Sequence, residues 1–345
     1  MPAVLPAPEL PAARPIRELS GLTPRDLGPG ILESTEPVVL RGLVAQWPMV
    51  AAARESAGAA DAYLRRFYRD ASVNAMLGPP EIEGRFFYNE AMDGFNFAPV
   101  RVRLDKILAE LERYRGVDKQ PAIYVGSTTI DTCLPGFHDE NRIDLGGRDA
   151  LGSIWIGNRT RIAAHYDLPD NLACVVAGRR RFTLFPPSQV ENLYIGPLDL
   201  TPAGQAISLV DFMKPDLERF PRFATAMGHA LAVEMEPGDA LFIPSMWWHH
   251  IQALEDFNVL VNYWWRQSPE YMDTPMNALM HALMSVRDLP PEQRKAWAGL
   301  FHHYVFDAGE ETAAHIAPAA RRALGPMDGD TVRSIRAQLL KRMNR

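Results

Sequence analysis

Apolar positions change their spacing along this chain. Up to about residue 120, short apolar runs mix with helical periodicity. Residues 36–43 (EPVVLRGL) predict a strand, because Val38, Val39 and Leu40 favour extended backbone. Residues 51–69 predict a helix. So does Leu104–Tyr114, where Leu104, Ile107, Leu108 and Leu111 recur at helical spacing. The stretch between them, with Arg85-Phe86-Phe87-Tyr88, predicts strand and loop. From 121 to about 266 the runs become short and β-like, at 122–125, 153–156, 172–176, 181–185, 230–235, 240–243 and 258–264. Turn signals such as Ala177-Gly178, Phe185-Pro186-Pro187 and Glu236-Pro237-Gly238-Asp239 separate them. Many short strands so spaced predict a sandwich or barrel. After residue 270 the spacing is helical again, at 275–286, 292–306 and 331–343. Met276, Leu279, Met280, Leu283 and Met284 form one stripe, expected to be buried at a helix–helix contact or a subunit interface.

No repeat or low-complexity linker divides the chain. The expected organisation is a mixed α/β flank over 1–120 that packs on the core, a β core over 121–266, and a helical region over 267–345. The first fifteen residues, rich in Pro, read as a floppy tail or an arm ordered on contact. They lack the basic start and apolar block of a secretory signal, and no run of about 18 apolar residues predicts a membrane span.

Composition narrows the function classes. Of 345 residues, 47% are hydrophobic and the net charge is −6, which excludes general disorder. With 42 acidic against 36 basic residues, a nucleic-acid binder is disfavoured. Two cysteines, Cys133 and Cys174, make no secreted disulfide framework, and a cytoplasmic protein is expected. The 29 prolines and 24 glycines favour many turns over a helical bundle.

Chemistry concentrates in Arg161-Ile-Ala-Ala-His165-Tyr166-Asp167. On a strand, His165 and Asp167 project to one face. They can supply two ligands of a 2-His-1-carboxylate triad, which leaves three positions of an octahedral ferrous ion open. The third ligand must come from far along the chain, and Trp247-Trp248-His249-His250 offers it. Adjacent histidines cannot both face inward on a regular strand, and periodicity does not choose between them.

Taken together, these segments resemble the cupin-like branch of the JmjC-fold 2-oxoglutarate oxygenases. The resemblance runs through His165-Tyr-Asp167, Asn171, Gly178, the basic run, and Leu184-Phe185-Pro186-Pro187. It continues through Gly238-Asp239-x-Leu-Phe-Ile-Pro244, Trp247-Trp248-His249-His250-Ile251 and Asn262-Tyr263-Trp264. It covers roughly 121–266 and is strongest toward the asparaginyl hydroxylases of that branch. It implies a double-stranded β-helix with helical flanks. The activity implied is Fe(II)- and 2-oxoglutarate-dependent hydroxylation of a protein or peptide side chain, or of a small molecule, with release of succinate and CO2.

Residue by residue, the resemblance makes His165, Asp167 and His249 the iron ligands and leaves His250 a supporting role. Arg180 takes the place of a family lysine that binds the far carboxylate of 2-oxoglutarate, a role that suits a guanidinium. Strand alternation sets Arg180 opposite to Arg179 and Arg181. Tyr124 matches a tyrosine that helps hold the same carboxylate. Asn171 and Asn262 match inward amides near metal and cosubstrate, and Trp264 lies beside the site. Where the family often carries Thr or Ser, three residues before the first ligand, this chain has Ile162. That departure removes one hydrogen bond to the cosubstrate. It keeps two alternatives open: a non-catalytic metal- or peptide-binding cupin module, and a metal cupin dioxygenase that uses no 2-oxoglutarate. By position, the C-terminal helices resemble dimerising helices of the family and imply a homodimer. His138 reads as part of a loop that borders the cleft or simply forms turns, and His302-His303 as surface.

Overall fold

Asp170–Ala177 is buried at every one of its eight positions. A strand of this kind needs cover on both faces, and the fold supplies it. Ala173 and Val175 point into one apolar cluster with Phe182, Leu184 and Leu241. Leu172, Cys174 and Val176 point the other way, toward Met49, Leu64 and Leu108. The computed structural model describes residues 10–202 and 204–344. Two compact units meet in sequence between Gln267 and Ser268.

The first unit is built on two sheets. The six-stranded sheet runs in the order Arg14–Pro15 (β1), Leu231–Met235 (β12), Arg180–Phe185 (β11), Trp248–Ala253 (β14), Arg161–His165 (β9) and Arg85–Phe86 (β5). The nine-stranded sheet begins with Arg17–Ser20 (β2), Val38–Arg41 (β3), Ala240–Ile243 (β13), Asp170–Ala177 (β10) and Asn258–Trp265 (β15). It continues with Leu151–Gly157 (β8), Ala122–Thr129 (β7), Ser72–Gly78 (β4) and Ala98–Arg103 (β6). Four strands in each, β9-β14-β11-β12 and β8-β15-β10-β13, pair antiparallel and make the double-stranded β-helix. The flank before residue 121 is woven into the same sheets through β1 to β6. Residues 1–9 of the expected arm lie outside the described residues, while Arg14 and Pro15 pair in parallel with Leu231 and Ala232.

Helices cover the outer face of the larger sheet. In Leu104–Tyr114 the predicted stripe of Leu104, Ile107, Leu108 and Leu111 is buried. Each such side chain contributes roughly 1.5–3 kcal/mol of apolar burial. The single helix expected over 51–69 is instead two helices, Pro48–Glu55 and Ala57–Phe67. Ser56 breaks it, because its extended backbone lets its hydroxyl accept from the Ala59 N–H at 3.0 Å and cap the second helix.

The turn from β10 to β11 depends on Gly178. Its φ is +68°, and a Cβ there would lie 2.3 Å from Asn258 Oδ1 and 2.6 Å from the Phe257 carbonyl oxygen. Gly178→Ala is therefore expected to cost about 2–4 kcal/mol, from left-handed strain plus displacement of that loop. Urea unfolding would measure it, and a midpoint equal to the parent's would contradict this account of the turn.

The second unit carries Pro275–Ser285, Pro291–Phe301 and Gly329–Met343, the last two joined by a stretch of short π- and 3-10-helical turns over residues 302–324. Among its described residues only Ala313 is buried. Within this unit Met276 and Leu283 are half-buried while Met280 and Met284 stand exposed, the latter at 70%. Phe306 is likewise 70% exposed. Among the described residues, no helix is long and apolar enough to cross a membrane.

Candidate metal centre

β9 and β14 lie side by side, and their register sets His165 directly opposite His249. The two rings are 4.3 Å apart. Each ring uses Nδ1 on the backbone two residues earlier, His165 on the Ala163 carbonyl and His249 on the Trp247 carbonyl, both at 3.0 Å. A carbonyl only accepts, so Nδ1 is the donor there and Nε2 is the nitrogen left for a ligand. Both rings are nearly sealed, at 9% and 1% exposure. Burial, and then the neighbouring His165, press the His249 pKa down to about 4. A neutral imidazole with a free Nε2 is the form that binds a metal.

Asp167 reaches the pair in a way strand periodicity does not describe. β9 ends at His165, and Asp167 sits in the loop that follows. Its backbone carbonyl accepts from the Met246 N–H at 2.9 Å, which ties this loop to the one entering β14. Its Oδ2 accepts from Asn171 Nδ2 and from Trp264 Nε1, each at 3.2 Å. The same oxygen is 3.6 Å from His249 Nε2. Ligand atoms from His165, Asp167 and His249 all lie within 4.8 Å of one another. Two imidazole nitrogens and one carboxylate make a donor set that fits a divalent iron-type ion.

Strand alternation separates the adjacent histidines. His250 turns to the opposite face and stacks on Phe212, with ring centroids 4.6 Å apart. Burial first, and then Arg161, push its pKa down to about 3.

The triad lines a cavity of about 160 Å³, together with Tyr124, Asn171, Asn262 and Trp264. Trp155, Ile251 and Leu260 add to its wall, as does Ile162 at the position where a hydroxyl was expected. Arg180 shares the inward side of β11 with Leu184, which faces His249 across the β11–β14 pair. It is 1% exposed while Arg181 is exposed, and it stands outside the cavity wall proper. Its Nε is sealed and has no hydrogen-bond partner, and among the described residues no carboxylate pairs with it. Burial lowers its pKa to about 10, so it stays cationic at neutral pH. Its charge acts on Tyr124, whose phenol burial pushes well up. An enclosed cation without a counter-ion, beside a phenol that lines the cavity, fits an organic carboxylate.

His138 is elsewhere. It pairs with Asp131 at 2.8 Å and stacks on Tyr263, and it does not line the cavity. His302 and His303 are exposed. Sequence reasoning missed Trp155, Ile251, Met76, Ser127, Pro202 and Ile207 in the cavity wall. The one usable signal was Trp155: a tryptophan in a buried strand needs a partner for its indole N–H.

A sequence profile of the cupin-like domain matches residues 25–271. The chain is 34% identical over 133 residues to the lysine-specific demethylase JMJ31 of Arabidopsis thaliana, which covers 36% of this chain and 24% of that protein. Human HSPB1-associated protein 1 is 31% identical over 168 residues, covering 47% and 34% respectively. The tRNA wybutosine-synthesizing protein 5 of Danio rerio is 34% identical over 149 residues, covering 39% and 43%. The matched part thus spans less than half the length of each of these relatives.

Proposed function

The chain belongs to the cupin-like, JmjC-type domain family, and from that premise we propose that it is an Fe(II)- and 2-oxoglutarate-dependent oxygenase. The observation that carries this reading is the convergence of His165, Asp167 and His249 on one cavity, with Arg180 uncompensated nearby. His165 and His249 would each offer Nε2 to the metal, and Asp167 its carboxylate. Arg180 would neutralise the far carboxylate of the cosubstrate, and the Tyr124 hydroxyl would donate to it. Asn171 and Asn262 would face the near end. Bound there, ferrous ion and 2-oxoglutarate would supply the oxidising chemistry with O2 as oxidant: one oxygen atom would enter the succinate formed as the cosubstrate loses CO2, and the other would convert a C–H bond of the substrate to C–OH. Trp155, Ile162, Ile251 and Leu260 wall the cavity with apolar surface that keeps water from the reacting atoms.

A protein or peptide side chain is the substrate this reading favours, ahead of a small metabolite. The cavity is small beside the roughly 300–1,000 Å³ of sites that enclose a whole drug-sized ligand. Cosubstrate plus one inserted side chain would fill it. The acidic balance of the chain gives no support to a nucleic-acid substrate. Cys133 and Cys174, both free and buried, fit a cytoplasmic location.

The test is succinate formation. Protein loaded anaerobically with Fe(II) is given oxygen, 2-oxoglutarate and candidate peptides. Succinate above a His165→Ala control supports the proposal, and none with any candidate counts against it. Ile162 favours a second reading, a metal cupin dioxygenase that does not use 2-oxoglutarate, because the residue replaces a hydroxyl with apolar surface. That reading expects oxygen consumption without succinate. A non-catalytic metal- or peptide-binding module expects neither.

We also propose a homodimer through the C-terminal helices. Met280, Met284, Leu300, Phe306, Leu340 and Met343 are exposed large apolar side chains on a unit with almost no buried residues of its own. Such surface marks a contact site. Light scattering at micromolar concentration is expected to give twice the 38.6 kDa chain mass, and a monomeric mass would refute the dimer.

A further inference from the structure

The carboxylate of Asp167 stands at the end of a hydrogen-bond chain that starts on a residue outside the ligand set. Trp155 Nε1 donates to Asn262 Oδ1 at 2.7 Å. Asn262 Nδ2 donates to Asn171 Oδ1 at 3.4 Å, and Asn171 Nδ2 donates to Asp167 Oδ2 at 3.2 Å. We propose that Trp155 is a positioning residue: its indole, acting through Asn262 and Asn171, fixes the orientation in which Asp167 meets the metal. The inference rests on the metal-binding reading given above.

The polarity of this chain is set from both ends. An indole N–H can only donate, and an ionised carboxylate can only accept. Asn262 must therefore show its oxygen to Trp155 and its amide N–H to Asn171. Asn171 must in turn show its oxygen to Asn262 and its N–H to Asp167. Flipping either amide would set donor against donor and acceptor against acceptor inside a sealed site. Asn262 is 1% exposed and Asn171 6%, so water is poorly placed to repair such a fault.

The start of the chain is rigid. Trp155 stacks on Tyr124, with centroids 5.7 Å apart at 27°, and meets Trp264 edge-on at 5.7 Å and 90°. Trp264 makes the second donation to Asp167 Oδ2. The sheet explains why these groups meet. On β8, β15 and β10, Trp155 lies opposite Leu260 and Asn171 opposite Trp264, while Asn262 falls between Leu260 and Trp264 at period two. All project from one face. The loop that carries Asp167 lacks a strand's ladder around that residue, so a side-chain network supplies the aim that the backbone does not.

Trp155→Phe keeps an aromatic ring between Tyr124 and Trp264 but deletes the N–H together with the volume of the second ring. Asn262→Leu cuts the chain at its second member and guards against a folding failure at Trp155. The probe is Co(II) alone, titrated into the full chain and followed by its visible ligand-field spectrum, with the thermal midpoint of the metal-free protein as a folding check. The expected result is a loss of Co(II) affinity of roughly tenfold in each variant, the low end for groups that orient metal ligands. An altered ligand-field spectrum should accompany it, and the double variant should be little worse than either single one. Parental affinity and spectrum in both variants would overturn the relay while leaving the metal site intact, even if the thermal midpoint fell. Absence of Co(II) binding by the parent protein would contradict the oxygenase reading itself, and the relay with it.

Discussion

Arg180→Met is expected to make the ligand-free protein more stable and to weaken its binding of 2-oxoglutarate strongly. The two effects have opposite signs and a common cause. Arg180 is 1% exposed, its Nε has no partner, and no carboxylate pairs with it among the described residues. Enclosing a cation without a counter-charge costs the folded state, and an apolar side chain of similar volume removes that cost, for a gain on the order of 1–4 kcal/mol. The same substitution deletes the cation that, in the oxygenase reading, would face the cosubstrate's far carboxylate. Leaving that carboxylate buried and unpaired costs about 2–5 kcal/mol, so affinity should fall by ~30-fold or more. Arg180→Lys keeps the charge but loses the two-pronged geometry, and should weaken binding by about tenfold. Thermal midpoints with and without 2-oxoglutarate read both quantities. A ligand-free midpoint that falls in Arg180→Met would mean the guanidinium is already satisfied within the fold.

His249→Ala and His250→Phe are expected to separate completely in metal binding. Removing the His249 Nε2 should weaken Fe(II) or Mn(II) binding by more than ~100-fold. His250→Phe should leave it unchanged, because His250 stacks on Phe212 across the sheet. His250→Phe should instead alter stability in acid. Burial depresses the folded-state pKa of His250 to about 3, while an unfolded histidine titrates near 6.5. Between those values the unfolded chain holds a proton that the folded chain lacks. Stability is thus fully present above pH ~6.5 and declines as pH falls toward ~3, by up to about 1.4 kcal/mol per pH unit. The phenylalanine variant should lose this share of the slope. Isothermal metal titration and urea midpoints across pH measure the pair.

Much of this site could be seen in the chain, because the chemistry sits on strands. Period-two alternation in β11 placed Arg180 against its neighbours, and alternation in β14 required that His249 and His250 diverge. Alternation did not say which histidine faces inward. The resemblance indicated His249, and the register against β9 places it opposite His165. Periodicity failed where the backbone leaves regular structure. Asp167 was expected on the strand of His165, yet it lies beyond the strand end, held by Met246 N–H, Asn171 and Trp264. The contacts with Met246 and Trp264 join residues far apart in sequence, and no local pattern encodes them. The helix expected over 51–69 missed a break because Ser56 looks like any polar helix position until its hydroxyl is seen to cap the next helix. Trp155 read as one more apolar strand residue, since its function lies in a single N–H. The Met stripe after residue 275 reads as a buried face, and among the described residues of its own unit Met280 and Met284 stay exposed.

The central claim is that this cavity holds ferrous ion and 2-oxoglutarate together. Anaerobic addition of 2-oxoglutarate to the Fe(II)-loaded protein tests it most directly, because chelation by a 2-oxo acid gives ferrous ion a visible charge-transfer absorption. The expected result is an absorption that saturates at one equivalent of 2-oxoglutarate per chain, is lost in His165→Ala and is strongly weakened in Arg180→Met. Stoichiometric Fe(II) binding with no such absorption at saturating 2-oxoglutarate would contradict it.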